Sequence, residues 1–225
     1  MIDFDNEEYH DELAIADRRY EGDCWAWLVS QVNTLDEASR AVRPWPGHLD
    51  YLHDLIDVLC DQNERLIAIP KSRRMMVTWC VAEWVHWLTR YRPNVLAIWQ
   101  SRVQTMAAEV LDKRIDWAEE HLLDVPLRRT RKSSKTTEGL IGRITWNQSG
   151  SRIVAVAEGA HVFRSLTPTV LVMDECEFQE QGAAALAASM PFAEKNAKII
   201  LLSSSNGPGK PLANICKDVG LTRWK

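Results

Sequence analysis

Two stretches of the chain carry side chains suited to handling phosphate and a divalent cation. In the first, the apolar run Leu66-Ile67-Ala68-Ile69 leads into Pro70-Lys71-Ser72-Arg73-Arg74-Met75-Met76-Val77-Thr78. An apolar run, a basic turn and a helical pattern give strand, loop and helix N-terminus. There the first free N–H groups and the positive end of the helix dipole receive an anion. Laid on the phosphate-loop pattern G-x-x-x-x-G-K-[ST], Lys71 takes the first glycine, Met76 the second and Val77 the lysine. Thr78 alone fits, in the place whose hydroxyl would ligand Mg²⁺. The cation is therefore expected at the front of the loop, as Lys71 helped by Arg73 or Arg74, both long enough to cross it.

In the second stretch, Val170-Leu171-Val172-Met173 ends in Asp174-Glu175. The carboxyl ends of parallel strands line the ligand crevice, so Asp174 would face the same crevice as the 71–78 loop, placed to hold a Mg²⁺-bound water. Glu175 would polarise the attacking water, which completes the parts that phosphoryl transfer needs. Apolar strands ending in Asp-Glu are common by themselves. The basic loop about a hundred residues earlier and a later strand ending in Ser203-Ser204-Ser205-Asn206 favour the functional reading.

The elements that must hold these residues follow from periodicity and turn chemistry. Residues 5–40 read as mainly helical, 43–47 as a turn and 48–59 as an amphipathic helix. A helix is expected over Trp79–Arg90 and a long one over 103–123, with a buried strand at Val95–Trp99 between them. Residues 126–142 are polar and basic and read as an excursion without regular structure. Short strands are predicted at Arg143–Trp146, Arg152–Val156, Thr169–Met173 and Lys198–Leu202, and a small-residue helix from Ala183 stopped by Pro191. Strands alternating with helices, several of them fully apolar, predict an α/β fold of the P-loop NTPase (ASCE-like) kind. It has a mainly parallel sheet covered on both faces and preceded by an N-terminal helical segment. The boundary is placed at 1–64 for that segment and 65–225 for the core.

With 225 residues, 46% of them hydrophobic and 26% charged, the chain has the balance of a globular protein with a sizeable core. Cysteines 24, 60, 80, 176 and 216 are scattered without a C-x-x-C pair, which argues for reduced thiols and against a zinc site. No apolar run reaches membrane-spanning length and the start is acidic, so no membrane association and a cytoplasmic location are expected. The net charge of −4 hides an asymmetry: nine acidic and two basic residues in 1–24, against seven basic and one acidic in 128–152. The basic block is either a local anionic contact or a solvated loop.

These residues resemble the large terminase subunits, the ATP-driven DNA-packaging motors of tailed phages, over essentially the whole chain, as their N-terminal ATPase domain. Lys71-Ser72-Arg73-Arg74-Met75-Met76-Val77-Thr78 is similar to the deviant Walker A loop of members whose lysine stands first. Val170 to Glu175 resembles Walker B with its catalytic glutamate, and Ser203-Ser204-Ser205 resembles the motif coupling nucleotide state to DNA movement. The resemblance implies ATP and Mg²⁺ as cofactors. It implies double-stranded DNA, a portal protein and a small terminase subunit as partners, a homo-oligomeric ring, and the cytoplasm of an infected host cell. Trp45 to Tyr51 sits where the family keeps its adenine-side motif, with His48 in place of the usual glutamine. Arg164, in the stretch before Walker B, is the candidate for an arginine reaching a neighbouring subunit's nucleotide; a surface or structural arginine is the alternative. The family's C-terminal nuclease finds no room after Asn206 in this sequence, so no DNA cleavage is expected from it. Another nucleic-acid-dependent translocase and a non-hydrolysing adaptor remain as alternatives.

Overall fold

The computed structural model describes residues 7–36, 39–159, 166–207 and 211–218. Helices α1 (Glu7–Gly22), α2 (Cys24–Gln31) and α3 (Asp50–Cys60) come first, with a small hairpin of β1 (Asn33–Leu35) and β2 (Val42–Pro44) between α2 and α3. Asp23 separates α1 from α2 by capping: its Oδ1 accepts the Ala26 N–H at 2.9 Å. Residues 5–40 are mainly helical as expected, through α1 and α2, while 33–35 depart from the helix and pair antiparallel with 42–44.

The main sheet contains β3 (Leu66–Pro70), β4 (Leu96–Ser101), β5 (Arg131–Lys135), β6 (Ile141–Trp146), β7 (Arg152–Ala157), β8 (Val170–Asp174) and β9 (Lys198–Ser203). Its order is β3-β9-β8-β4-β7-β6-β5. The first five strands of that order are parallel and the last two antiparallel. Alternation along each parallel strand builds a core on both faces. Ile67, Ile69, Trp99, Val170, Val172, Ile200 and Leu202 face one layer, which also takes in α2, α3 and α4 (Val77–Tyr91). Ala68, Ile98, Leu171, Met173, Ile199 and Leu201 face the other, under α7 (Gly182–Glu194) and α8 (Pro211–Asp218).

Three further elements differ from expectation. The 131–135 stretch is a strand: all but Arg131 of its residues are exposed, so it is an edge strand whose lysines face water, with no apolar alternation to betray it. Two arginines of the basic block are spent inside the protein, Arg129 on Asp17 at 2.9 Å and Arg131 on Asp116. The long helix expected over 103–123 is present but shorter at both ends and π-wound in the middle: α5 (Gln104–Val110), a π-helical stretch Leu111–Asp116 and α6 (Trp117–Glu120) follow without interruption. The wide turn carries Asp112, whose carboxylate accepts the Ile141 N–H at 3.2 Å, and Asp116. Pro191 does not stop α7, which runs on to Glu194; a proline so near the end forfeits one late hydrogen bond. Among the described residues no helix is long and apolar enough to cross a membrane.

Helix α4 is tied to α6 by a fully buried charge cluster. His86 lies 2.9 Å by Nδ1 from Glu83 and 2.8 Å by Nε2 from Glu119, and Arg90 donates to Glu119 at 2.6 Å. Trp146 stacks on the His86 ring at 5.3 Å. Burial would raise the Glu119 carboxyl, but His86 and Arg90 overcome it and hold it down at about 2. A folded-state value below the ordinary 4.5 means the contribution is complete above that value and lost as pH falls towards 2. Glu119→Gln is expected to cost about 3 kcal/mol at neutral pH, because it strips the buried Arg90 guanidinium of its carboxylate and leaves His86 with Glu83 alone. It should also flatten the acid limb of stability in that window. Urea unfolding at a series of pH values checks this; an acid limb parallel to wild type would contradict it.

Candidate nucleotide site

The site is built where three neighbouring parallel strands end level. Register pairs Pro70 with Ser203 and Leu202 with Asp174, so β9 stands between β3 and β8 and carries Ser203 between Lys71 and the two acids. The Lys71 N–H donates to the Ser203 carbonyl at 2.9 Å, which prolongs the β3–β9 pairing by one residue into the loop. From there the Lys71 ammonium lies 2.7 Å from Glu175 Oε1 and 3.6 Å from Asp174 Oδ1. Ser203 Oγ donates to Glu175 Oε2 at 3.3 Å and accepts the Glu177 N–H at 3.3 Å. Asp174 Oδ1 accepts the Glu175 N–H at 3.0 Å. Lys71, Asp174, Glu175 and Ser203 are therefore one cluster.

Burial pushes the Asp174 carboxyl above the ordinary carboxylate range, and the Lys71 charge partly offsets it. Glu175 turns out of β8 in the left-handed region, φ 51°, where a non-glycine residue is strained. The turn aims its carboxylate at Lys71 instead of along the strand. Two side-chain contacts brace the backbone that follows β8. Gln179, itself buried, donates from Nε2 to the Asp174 carbonyl at 2.9 Å. Asn206 donates to the Glu177 carbonyl at 3.0 Å.

The loop turns through two left-handed residues, neither of them glycine. Arg74 (φ 65°) and Met76 (φ 55°) are left-handed, the conformation that glycine adopts without penalty. Met76 is the N-cap of α4 and makes no side-chain cap, so the helix's first N–H groups face the loop uncapped. Val77 is buried in the core, and Thr78 is half-buried in the first turn. Ser72, Arg73, Arg74 and Met75 are exposed. Tyr51 donates its hydroxyl to the Met75 carbonyl at 3.0 Å, which fixes the loop to α3. His48 is exposed in the turn before α3, so it is Tyr51 of that segment that meets the loop. Of the serines, Ser203 reaches Glu175, while Ser204 is half-buried and Ser205 exposed. Arg164 lies outside the described residues.

This arrangement fits a triphosphate with a divalent cation. A cation already stands between the two carboxylates, the Lys71 ammonium, and an uncapped helix start faces the loop beside it. Lys71→Met is expected to raise the Asp174 carboxyl further, since it removes the offsetting charge. Carboxyl carbon NMR across a pH titration reads this directly, and an unmoved Asp174 would contradict the pairing. Met76→Gly should change stability by less than about 1 kcal/mol, relief of the left-handed strain being set against unfolded-chain entropy. Met76→Val should destabilise, by about 1 kcal/mol or more in chemical denaturation.

No protein-family model and no curated protein matches the chain. Among solved structures, the crystal structure of the HK97 bacteriophage large terminase superposes with a TM-score of 0.65 at 14% identity, over 89% of this chain and 41% of that one. The Thermus phage P74-26 large terminase ATPase domain gives a TM-score of 0.46 at 13% identity, over 64% of this chain and 61% of that one, too distant to argue from. The chain spans about two-fifths of the length of the HK97 protein. The likeness is one of fold: over most of its length this chain adopts the fold of the HK97 bacteriophage large terminase.

Proposed function

We propose that the chain hydrolyses ATP and couples the hydrolysis to movement of double-stranded DNA into a viral procapsid. The observation that carries the reading is the convergence of Lys71, Asp174, Glu175 and Ser203 at the ends of three adjacent strands, beside the uncapped start of α4. Mg²⁺·ATP supplies the reactive phosphoanhydride and the Lewis acid. Thr78 and Asp174 would hold the ion, and Lys71 would leave Glu175 for phosphate, with Arg73 or Arg74 in support. Glu175, freed of its ammonium partner, would then be a carboxylate able to orient and polarise water. Ser203, bonded to both Glu175 and the Glu177 backbone, is suited to report that release to the segment entering α7 and α8, with Ser204 and Ser205 following it. Arg164 is proposed as the trans-acting arginine of a neighbouring subunit in a homo-oligomeric ring.

The proposed assembly includes a portal protein and a small terminase subunit, and acts in the cytoplasm of an infected host cell. DNA held through its phosphates would be lost steeply as salt rises. The 1–64 segment is proposed as a helical layer packed on the 65–225 core. Lys71→Ala and Glu175→Ala are each expected to lower steady-state ATP hydrolysis by at least about a hundredfold, leaving the circular dichroism spectrum unchanged. Full ATPase in both variants would reject the site. Absence of Mg²⁺·ATP binding in wild-type calorimetry would move the chain to a non-hydrolysing adaptor.

A further inference from the structure

At the other end of the sheet the strands open on a cavity of about 190 Å³. Arg65 stands just before β3, Val170 opens β8 and Lys198 opens β9, so the cavity lies at the amino ends of the strands whose carboxyl ends hold Lys71, Asp174 and Ser203. Five-residue strands separate the two places by roughly 17 Å. An anion in this cavity is therefore not the phosphate of the nucleotide site.

Three cations line the cavity, Arg65, Arg92 and Lys198, and among the described residues no carboxylate does. Lys198 is only 7% exposed. Its ammonium donates to the Leu59 carbonyl at 2.6 Å and the Asp61 carbonyl at 2.7 Å, and lies 5.7 Å over the Trp84 ring. Those partners orient the charge without cancelling it. Burial brings the amine down to about 8 against the opposing pull of Cys60, with Arg65 adding to the lowering and Asp61 and Glu64 opposing it more weakly. A buried ammonium beside a second cation costs folding free energy unless an anion completes the site. Arg92 lines the cavity from an exposed position, 5.6 Å over Trp87, donating to the Glu21 carbonyl at 3.3 Å and standing 3.9 Å from the Glu21 carboxylate. The remaining wall includes apolar Leu59, Leu88 and Val170.

The size limits the ligand. The volume corresponds to about six waters of liquid, below the roughly 300 Å³ at which drug-sized pockets begin. We infer that this cavity binds a small oxyanion, phosphate or carboxylate, carried on a compact apolar stem, between Lys198, Arg65 and Arg92. The inference is independent of the nucleotide site.

Cys60 lies on the wall and is the exposed cysteine among those described, which gives a direct reporter. The full chain is labelled with N-ethylmaleimide, and the Cys60 rate is followed by peptide mass spectrometry against inorganic phosphate, phenyl phosphate and benzoate. At least one probe is expected to slow labelling saturably, by about fivefold or more. A free ion as the ligand makes phosphate as protective as phenyl phosphate; an organic phosphate or carboxylate makes phenyl phosphate or benzoate the better protector. Lys198→Met should abolish protection, and Arg92→Gln, at an exposed position outside the hydrophobic core, should weaken it about tenfold. Lys71→Ala should leave it intact. Labelling indifferent to all three probes, protection undiminished in both Lys198→Met and Arg92→Gln, or protection lost in Lys71→Ala would overturn the inference.

Discussion

One ion pair organises this molecule's working end: the Lys71 ammonium against the carboxylates of Asp174 and Glu175. Three chain segments far apart in sequence must end at the same height for it to form. The parallel pairing of β3 with β9 and of β9 with β8 supplies that, because each strand is buried on both faces and cannot slip by one residue without turning its apolar set over. The sheet's register and its double core are thus the conditions for the site's electrostatics. Asp174 shows the cost of the arrangement, since burial pushes its carboxyl upward and the Lys71 charge is the largest of the influences that restrain it.

The loop's unusual sequence has a physical reading. Val77, at the position where the common phosphate loop carries its lysine, is packed into the core layer beneath α4. A cation cannot stand there without disrupting that layer, so charge has to enter from the strand end. Met76 and Arg74 adopt the left-handed backbone that the usual glycines would take without strain, and Tyr51 pins the Met75 carbonyl between them. Strain of this kind persists where surrounding contacts over-determine the conformation.

Much of this was legible in the chain itself. Leu66–Ile69, Val170–Met173 and Ile199–Leu202 are apolar on both faces, as a covered parallel sheet requires, and the basic Lys71 and acidic Asp174 and Glu175 that follow the first two mark the crevice. What escaped has identifiable causes. The strand Arg131–Lys135 has no buried face, so periodicity is silent about it. The π-helical turn at Leu111–Asp116 keeps a helical apolar pattern and shows only in where its aspartates point. Tyr51, Gln179 and Asn206 act through single hydrogen bonds to backbone carbonyls, and no spacing in sequence encodes such contacts.

The same geometry makes the central claim measurable. If Lys71 does the neutralising work of the displaced lysine, its place between two acids belongs to the protein without nucleotide. A crystal structure with Mg²⁺ and a non-hydrolysable ATP analogue is then the most direct test. The account predicts that Lys71 Nζ abandons Glu175 and comes within about 3 Å of a phosphate oxygen. An analogue seated on the start of α4 while Lys71 stays on Glu175 would contradict it.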